Sequence, residues 1–112
     1  MNDDAQFIEL IEHEVLAFDE VSRFADASLT ENIQAAFGRD MLNPGIRVTA
    51  EDELITIYID IIVYFGVNIP QLCYDIQSNV KNNIESVTGL EIKAVNITVE
   101  GIDKREDKIQ EN

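Results

Sequence analysis

Histidine and cysteine are almost missing from this 112-residue sequence, which has one of each, His13 and Cys73. A lone cysteine cannot form an internal disulfide. Together the two residues cannot supply the ligands of a zinc centre, and one histidine without a suitable partner set does not indicate a catalytic triad. No GxGxxG or Walker A pattern is present either. We therefore interpret His13 as a surface residue at a helix start and Cys73 as a small apolar side chain, and we expect no catalytic, metal or cofactor site.

Basic residues are also scarce, because eight lysines and arginines face 22 aspartates and glutamates, for a net charge of −14. Such a chain gains little from releasing counterions at a phosphate backbone, so nucleic-acid binding is disfavoured. Contact with bare anionic lipid is disfavoured for the same reason. A protein partner with a basic patch is the favoured alternative.

No apolar stretch is long enough to span a bilayer. The longest nearly unbroken one, Leu54 to Val67, includes Asp60 and falls short of the ~20 residues that a membrane helix needs. The first residues, Met1-Asn-Asp-Asp4, do not resemble the basic start of a signal peptide. We therefore expect a cytoplasmic chain without direct membrane insertion.

The clearest predicted element is a strand over residues 54–65. Isoleucine, valine and phenylalanine occupy every odd position from 55 to 65, and this period of two indicates that one face is buried. Gly66 ends the strand, and Asn68-Ile-Pro70 is typical of a helix start. Apolar residues at helical spacing then predict a helix to Val87, which Gly89 ends.

Two further strands complete the predicted sheet. Residues 46–49 should form an antiparallel hairpin with 54–65, with a polar turn at Ala50-Glu-Asp-Glu53. The last strand, Glu91 to Ile102, changes its apolar parity near Ala94, which predicts a bulge or kink there. The long helix would allow 54–65 and 91–100 to run parallel through a right-handed crossover.

The first 42 residues are more ambiguous. Residues 6–11 could add a fourth strand, and the apolar spacing from Glu12 to Ala25 predicts a helix. Ser28-Leu-Thr-Glu31 fits a capping box that would begin a second helix. We predict one α+β domain over residues 1–102, built as a two-layer sandwich with a small mixed sheet of three to four strands and helices on one face. Residues 103–112 should form a frayed polar tail.

The second half of the sequence resembles the alkaline-shock protein family of Gram-positive bacteria. The resemblance covers Tyr58–Pro70 and Val87–Ile102 and is most specific at Gly66-Val-Asn-Ile-Pro70, Thr88-Gly-Leu90 and Val95-Asn96. It implies a small, acidic, non-enzymatic stress protein of the cell envelope. It also implies a cytoplasmic protein that in some members reaches the membrane through a small membrane-embedded partner, while other members are linked to lipid-precursor metabolism.

Three tyrosines are the candidate partner-binding residues. Tyr58 and Tyr64 lie on the less apolar face of the predicted strand, and Tyr74 lies on the following helix. Their amphipathic rings suit a protein interface, although packing at the periphery of the core explains them equally well. Our leading hypothesis is a scaffold that acts through protein–protein contacts, which could include a homo-oligomer. The alternatives are a regulatory subunit of a fatty-acid or lipid-precursor enzyme, and an RNA binder with a KH-like layout.

Overall fold

A computed structural model describes residues 2–26 and 43–106 of the chain. These residues form two helices and a four-stranded sheet, which confirms the predicted α+β class. The elements in chain order are α1 (Asn2–Leu16), β1 (Val21–Phe24), β2 (Ile46–Glu51), β3 (Leu54–Tyr64), α2 (Ile69–Thr88) and β4 (Glu91–Asp103).

The sheet is built around β3, and it is mixed as predicted. β4 runs parallel to β3 along its whole length, whereas β1 and β2 are both antiparallel to it. The amide of Asp60 donates to the Gly45 carbonyl (2.8 Å), and the Asp60 carbonyl accepts from the Ala25 amide (2.9 Å). Both groups of one strand residue point to the same edge, so β1 and β2 lie end to end on a single edge of β3.

Gly45 is located where those two strands meet. A Cβ atom at this position would lie 2.9 Å from the Asp60 carbonyl oxygen and 3.0 Å from the Cβ of Phe24. Only glycine allows the backbone to approach this closely. The junction therefore depends on this residue.

Both helices cover the same face of the sheet. The odd-numbered side chains of β3 from Ile57 to Val63 are fully buried, as are Ile11 and Val15 of α1. The same core includes four residues of α2, namely Leu72, Ile76, Val80 and Ile84. The opposite face of the sheet has no helix over it among the described residues, which gives the predicted two-layer arrangement.

Local sequence signals account for the ends of the central elements. Asp52 and Glu53 both have positive φ, of 54° and 68°, as a two-residue type I′ hairpin turn requires. The side chain of Asn68 accepts a hydrogen bond from the Gln71 amide and caps α2, which ends at Gly89 with a φ of 77°. The predicted hairpin and helix are both confirmed.

The predicted irregularity near Ala94 is also confirmed. Ile55 pairs with Ile92 and Thr56 with Ala94, so Lys93 is an extra residue in the β4 ladder. A second shift leaves Glu100 unpaired between Val99 and Gly101. Each bulge resets the side-chain alternation, which explains why the apolar parity of β4 changes along the strand.

Two N-terminal predictions were wrong. Residues 6–11 belong to a helix rather than a strand, because Phe7, Ile11 and Val15 recur every four residues and bury one helical face. The helix predicted over 12–25 ends at Leu16, and Val21–Phe24 is the fourth strand. Hydrogen bonds from the edge of β3 stabilise this strand, and they override the local helical spacing.

The capping box at Ser28–Glu31 and the second helix predicted after it lie outside the described residues. At the other end, β4 continues through Asp103, while the domain boundary after Ile102 stays a prediction. Within residues 2–26 and 43–106, no helix is both long enough and apolar enough to cross a membrane.

Candidate functional site

The helix-free face of the sheet, defined by the even-numbered side chains of β3, carries two of the three tyrosines and the three arginines of the described residues. Tyr58, Asp60, Ile62 and Tyr64 lie on this face because alternate residues of a strand point to opposite sides. The register places Arg47 beside Tyr58 and Arg23 beside Ile62. Neighbouring residues in register share a face, so both arginines lie here as well.

At one end of this face, Arg47, Tyr58 and Asp60 form the Tyr58 cluster. The Arg47 guanidinium lies 5.2 Å from the centre of the Tyr58 ring, and its Nη2 is 3.3 Å from an Asp60 carboxylate oxygen. Cation–π attraction and the ion pair together hold the guanidinium over the ring. The Arg47 side chain still has 47% of its surface exposed, so it is available to a partner.

At the other end, Ser22, Arg23, Tyr64, Asp103 and Arg105 form the Tyr64 cluster. Ser22 Oγ donates to Asp103 Oδ2 at 2.7 Å, and Arg23 Nε donates to the same oxygen at 3.1 Å. The hydrogen bond from Ser22, followed by that from Arg23, lowers the pKa of the Asp103 carboxyl from its usual 3.8. Arg105 lies 4.1 Å above the Tyr64 ring centre, and its Nη2 donates to the Asp19 carbonyl.

An apolar position separates the two clusters. Tyr58 and Tyr64 are six residues apart on one strand, or roughly 20 Å at about 3.3 Å per residue. Ile62 lies between them and is 8% exposed although no described helix covers it. A Cβ added at Gly101 would come within 3.2 Å of its Cδ1 atom, so glycine gives the isoleucine room to lie against β4.

Arginine is concentrated on this face. All three arginines among the described residues lie on it, as the register and their contacts show. Arg47 pairs with Asp60 and Arg23 with Asp103, and the register also places Glu51 and Glu91 on this face, in line with Leu54. The face therefore carries both arginines and carboxylates, in a chain whose net charge is −14.

The structure places two of the three candidate tyrosines on the same face of the sheet. Tyr58 and Tyr64 share the helix-free face, whereas Tyr74 is on α2, on the other side of the sheet, with 63% of its surface exposed. Sequence reasoning missed the arginines that cover both rings. Arg47 follows from the hairpin register once the turn is fixed, but no local signal places Arg105 over Tyr64.

The histidine and the cysteine of the described chain lie on the two helices. His13 is exposed in the last turn of α1 rather than at a helix start. Cys73 is partly buried, and burial raises the pKa of its thiol above 9.0, which disfavours the reactive thiolate. In the described segments no three histidine, cysteine or acidic side chains are grouped as a metal ion would require.

The fold and this face define a small α+β domain with a helix-covered side and an open, arginine- and tyrosine-bearing side. The family model that matches residues 9–104 is that of the ASP23 family, with a cell envelope-related function. The chain belongs to this family, which confirms the resemblance to alkaline-shock proteins.

Individual relatives come from Gram-positive bacteria. The chain is 30% identical to the uncharacterized protein YqhY of Bacillus subtilis over 89 residues, which are 78% of this chain and 66% of that protein. It is 35% identical to the uncharacterized protein Spy1535 of Streptococcus pyogenes over 68 residues, or 60% of this chain and 53% of that protein. The chain thus spans about half to two thirds of the length of these curated relatives.

A solved structure has the same fold. The MamB CTD magnetosome protein of Desulfamplus magnetovallimortis superposes with a TM-score of 0.57, covering 90% of this chain and 99% of that one. The sequences are 13% identical, so the likeness concerns the fold alone.

Proposed function

We propose that this protein is a non-enzymatic scaffold of the cell envelope that binds another protein through the helix-free face of its sheet. One observation carries the proposal: Tyr58 and Tyr64 each lie under an arginine guanidinium on a face that no described helix covers. Tyrosine and arginine are the side chains that most often dominate binding energy at protein interfaces. Membership of a family with a cell envelope-related function supplies the cellular setting.

The clusters are well prepared for binding. The Arg47 guanidinium lies over a ring and is paired with a carboxylate, so its rotamers are already restricted and a partner loses less free energy in ordering it. Its outward N–H groups remain free to donate to a partner's carboxylates or carbonyls. The partner that we propose is a protein, such as a small membrane-anchored one, which would bring this chain to the membrane.

Site-specific photo-crosslinking in cells that make the protein tests the proposal. A benzophenone amino acid replaces Tyr58 in one variant, Tyr64 in a second, and Val87 in a control, because Val87 is 65% exposed and lies at the far end of α2. We expect positions 58 and 64 to crosslink to the same protein and position 87 to give no such adduct. An adduct with the mass of two chains would assign the face to self-association.

A binding measurement with the purified partner that crosslinking identifies gives the quantitative test. Replacing Arg47 with alanine should weaken binding by about tenfold or more, as expected for an interface hot spot, and Val87→Ala should leave it within about twofold. Equal crosslinking at all three positions, or an unchanged Kd for Arg47→Ala, would overturn the proposal. If the partner is a lipid-precursor enzyme whose turnover changes on binding, the protein is a regulatory subunit instead of a scaffold.

A further inference from the structure

β4 is an edge strand. The N–H and C=O groups on its outer side form hydrogen bonds with helix side chains in its first half but not in its second half, among the described residues. In the first half, side chains of α2 form hydrogen bonds with three of these groups. Gln77 Nε2 donates to the Val95 carbonyl (2.9 Å), and Lys81 Nζ donates to the Ile92 carbonyl (2.8 Å). The Ile92 amide donates to Glu85 Oε2 (2.9 Å). These bonds disfavour an added strand along this half, since most of the groups that would pair with it are already used.

The second half has no such cover in the described parts of the chain. The Phe65 amide donates to the Asp103 carbonyl, so Asp103 faces β3 and its neighbour Ile102 faces outward. The ladder likewise turns the backbone of Ile97 and Val99 outward, because they pair with Ile59 and Ile61 of β3 in the same way that Val95 pairs with Ile57. No described side chain bonds to the N–H or C=O groups of these three residues.

Apolar side chains flank this open half. Tyr74 precedes Gln77 by three residues and Lys81 by seven, so it lies on the helical stripe that borders β4. It is 63% exposed, and Ile102 is 55% exposed. Ile97 and Val99 pack only partly against the core. An incoming strand would bury apolar side chains against this row on the helix side of the sheet.

We propose that the outer edge of β4 from Ile97 to Ile102 accepts an extended segment of another protein as an added strand, and that this segment alternates apolar and basic residues. The open backbone groups supply the hydrogen bonds and the apolar row supplies the pockets. The sign of the charges follows from the sequence, because residues 96–103 include Glu100 and Asp103 and no basic residue. A second copy of the chain, itself at −14, is disfavoured as the occupant by the same repulsion.

Amide exchange on isotope-labelled protein tests this directly. The probe is an end-capped seven-residue peptide of alternating valine and lysine, and its controls are a scrambled peptide and one with glutamate in place of lysine. We expect the alternating peptide to slow exchange at the amides of Ile97, Val99 and Ile102. The Thr98 amide should change little, because it already faces β3.

Two protein variants isolate the edge. Val99→Pro removes an outward donor without removing a β3–β4 bond and should weaken the alternating peptide by about tenfold, the effect of one lost hydrogen bond plus steric exclusion. Val99→Thr keeps the donor and the branched shape and should bind within about twofold of the original chain. If the proline variant does not fold, Ile102→Lys places a repelling charge at an exposed position of the same row and should also abolish binding.

Several outcomes would overturn the inference. One is a scrambled or acidic peptide that binds as well as the alternating one. Another is slower amide exchange that appears only in β2, away from the β4 edge. Protection of the same amides that rises with protein concentration in the absence of peptide would assign the edge to a second copy. Arg47→Ala tests the helix-free face alone and should leave peptide binding unchanged, so the two proposals can fail separately.

Discussion

Ser22 and Asp103 are 81 positions apart, yet the serine hydroxyl donates to the aspartate carboxylate at 2.7 Å. The two residues lie on β1 and β4, which are separated by β3. Arg23 donates to the same carboxylate, so Asp103 connects the two outer strands across the helix-free face. β1 forms only three ladder pairs with β3, with a register shift among them, and a short strand of this kind depends on such additional contacts.

Replacing Asp103 with alanine should loosen β1 selectively. The change removes the acceptor of Ser22 and Arg23, so we expect faster amide exchange at Val21–Phe24 and little change in α2. The measurement is residue-resolved hydrogen exchange. Glu106→Ala removes the same charge three residues later and serves as the control. Equal effects of the two changes would show that charge, rather than the connection to β1, governs the exchange.

Stability should fall in acid partly because of Glu85. The hydrogen bond from the Ile92 amide, and then the one from Lys81, lowers the pKa of the Glu85 carboxyl from its usual 4.5. A carboxyl whose pKa is lower in the folded state contributes stability that is present above pH 4.5 and is lost as the pH falls through the folded pKa. Asp103 contributes in the same sense from its usual 3.8.

Urea unfolding of the original chain and of Glu85→Gln at pH 7 and at steps below 4.5 measures this contribution. The difference in unfolding free energy between the two proteins should shrink as the pH decreases, because the glutamine does not titrate. Comparing the proteins at each pH removes the general relief of acidic repulsion. Glu9→Gln, at an exposed position of α1, removes one negative charge without removing a described hydrogen bond and serves as the control.

Alanine at Gly45 should destabilise the fold by about 1–3 kcal/mol, the usual cost of forcing extra atoms into a packed site. The new methyl group would clash with the Asp60 carbonyl, and backbone cannot move aside as a side chain can. Gly101→Ala is the matched comparison, because its methyl group meets only the end of the flexible Ile62 side chain. Thermal or urea unfolding should therefore show a larger loss at Gly45, and equal losses would contradict the argument.

Ile59 should be among the residues most sensitive to truncation. It is fully buried on the helix-covered face, and an isoleucine-to-alanine change in such a core costs about 2–5 kcal/mol. Ile102→Ala removes the same atoms at a position that is 55% exposed and should cost no more than about 0.5 kcal/mol. The denaturant midpoints of the two variants measure this difference in stability. Similar midpoints would show that Ile59 does not belong to the rigid core.

The central part of the fold could be predicted from the sequence because its signals are local. The alternation in β3, the cap at Asn68, the glycine at 89 and the parity change at Lys93–Ala94 each involve residues close in the chain, and each was interpreted correctly. The strand at Val21–Phe24 has no such signal. Its partner is Ile61–Val63, some 40 positions later, so its conformation is decided by tertiary hydrogen bonds that a single sequence does not display.

The candidate site could be predicted only in part for the same reason. Strand parity placed Tyr58 and Tyr64 on one face, but the two arginines above them come from two separate segments. Arg105 reaches Tyr64 from beyond the end of β4, at a position that the sequence predicted to be a frayed tail. Hydrogen bonds from α2 cover the first half of the β4 edge and leave the second half open. Helical spacing alone does not specify which α2 side chains reach the strand.

The division of one β3 edge between β1 and β2 bears on the order in which the chain folds. The β2–β3 hairpin closes a two-residue loop at little entropic cost, whereas the pairings of β3 with β1 and with β4 both join residues about 40 positions apart. β1 reaches its half of the edge from a distant part of the chain, while β2 reaches the other half through a local turn. The β2–β3 hairpin should therefore form early in folding, with β1 and β4 joining the two edges of β3 later.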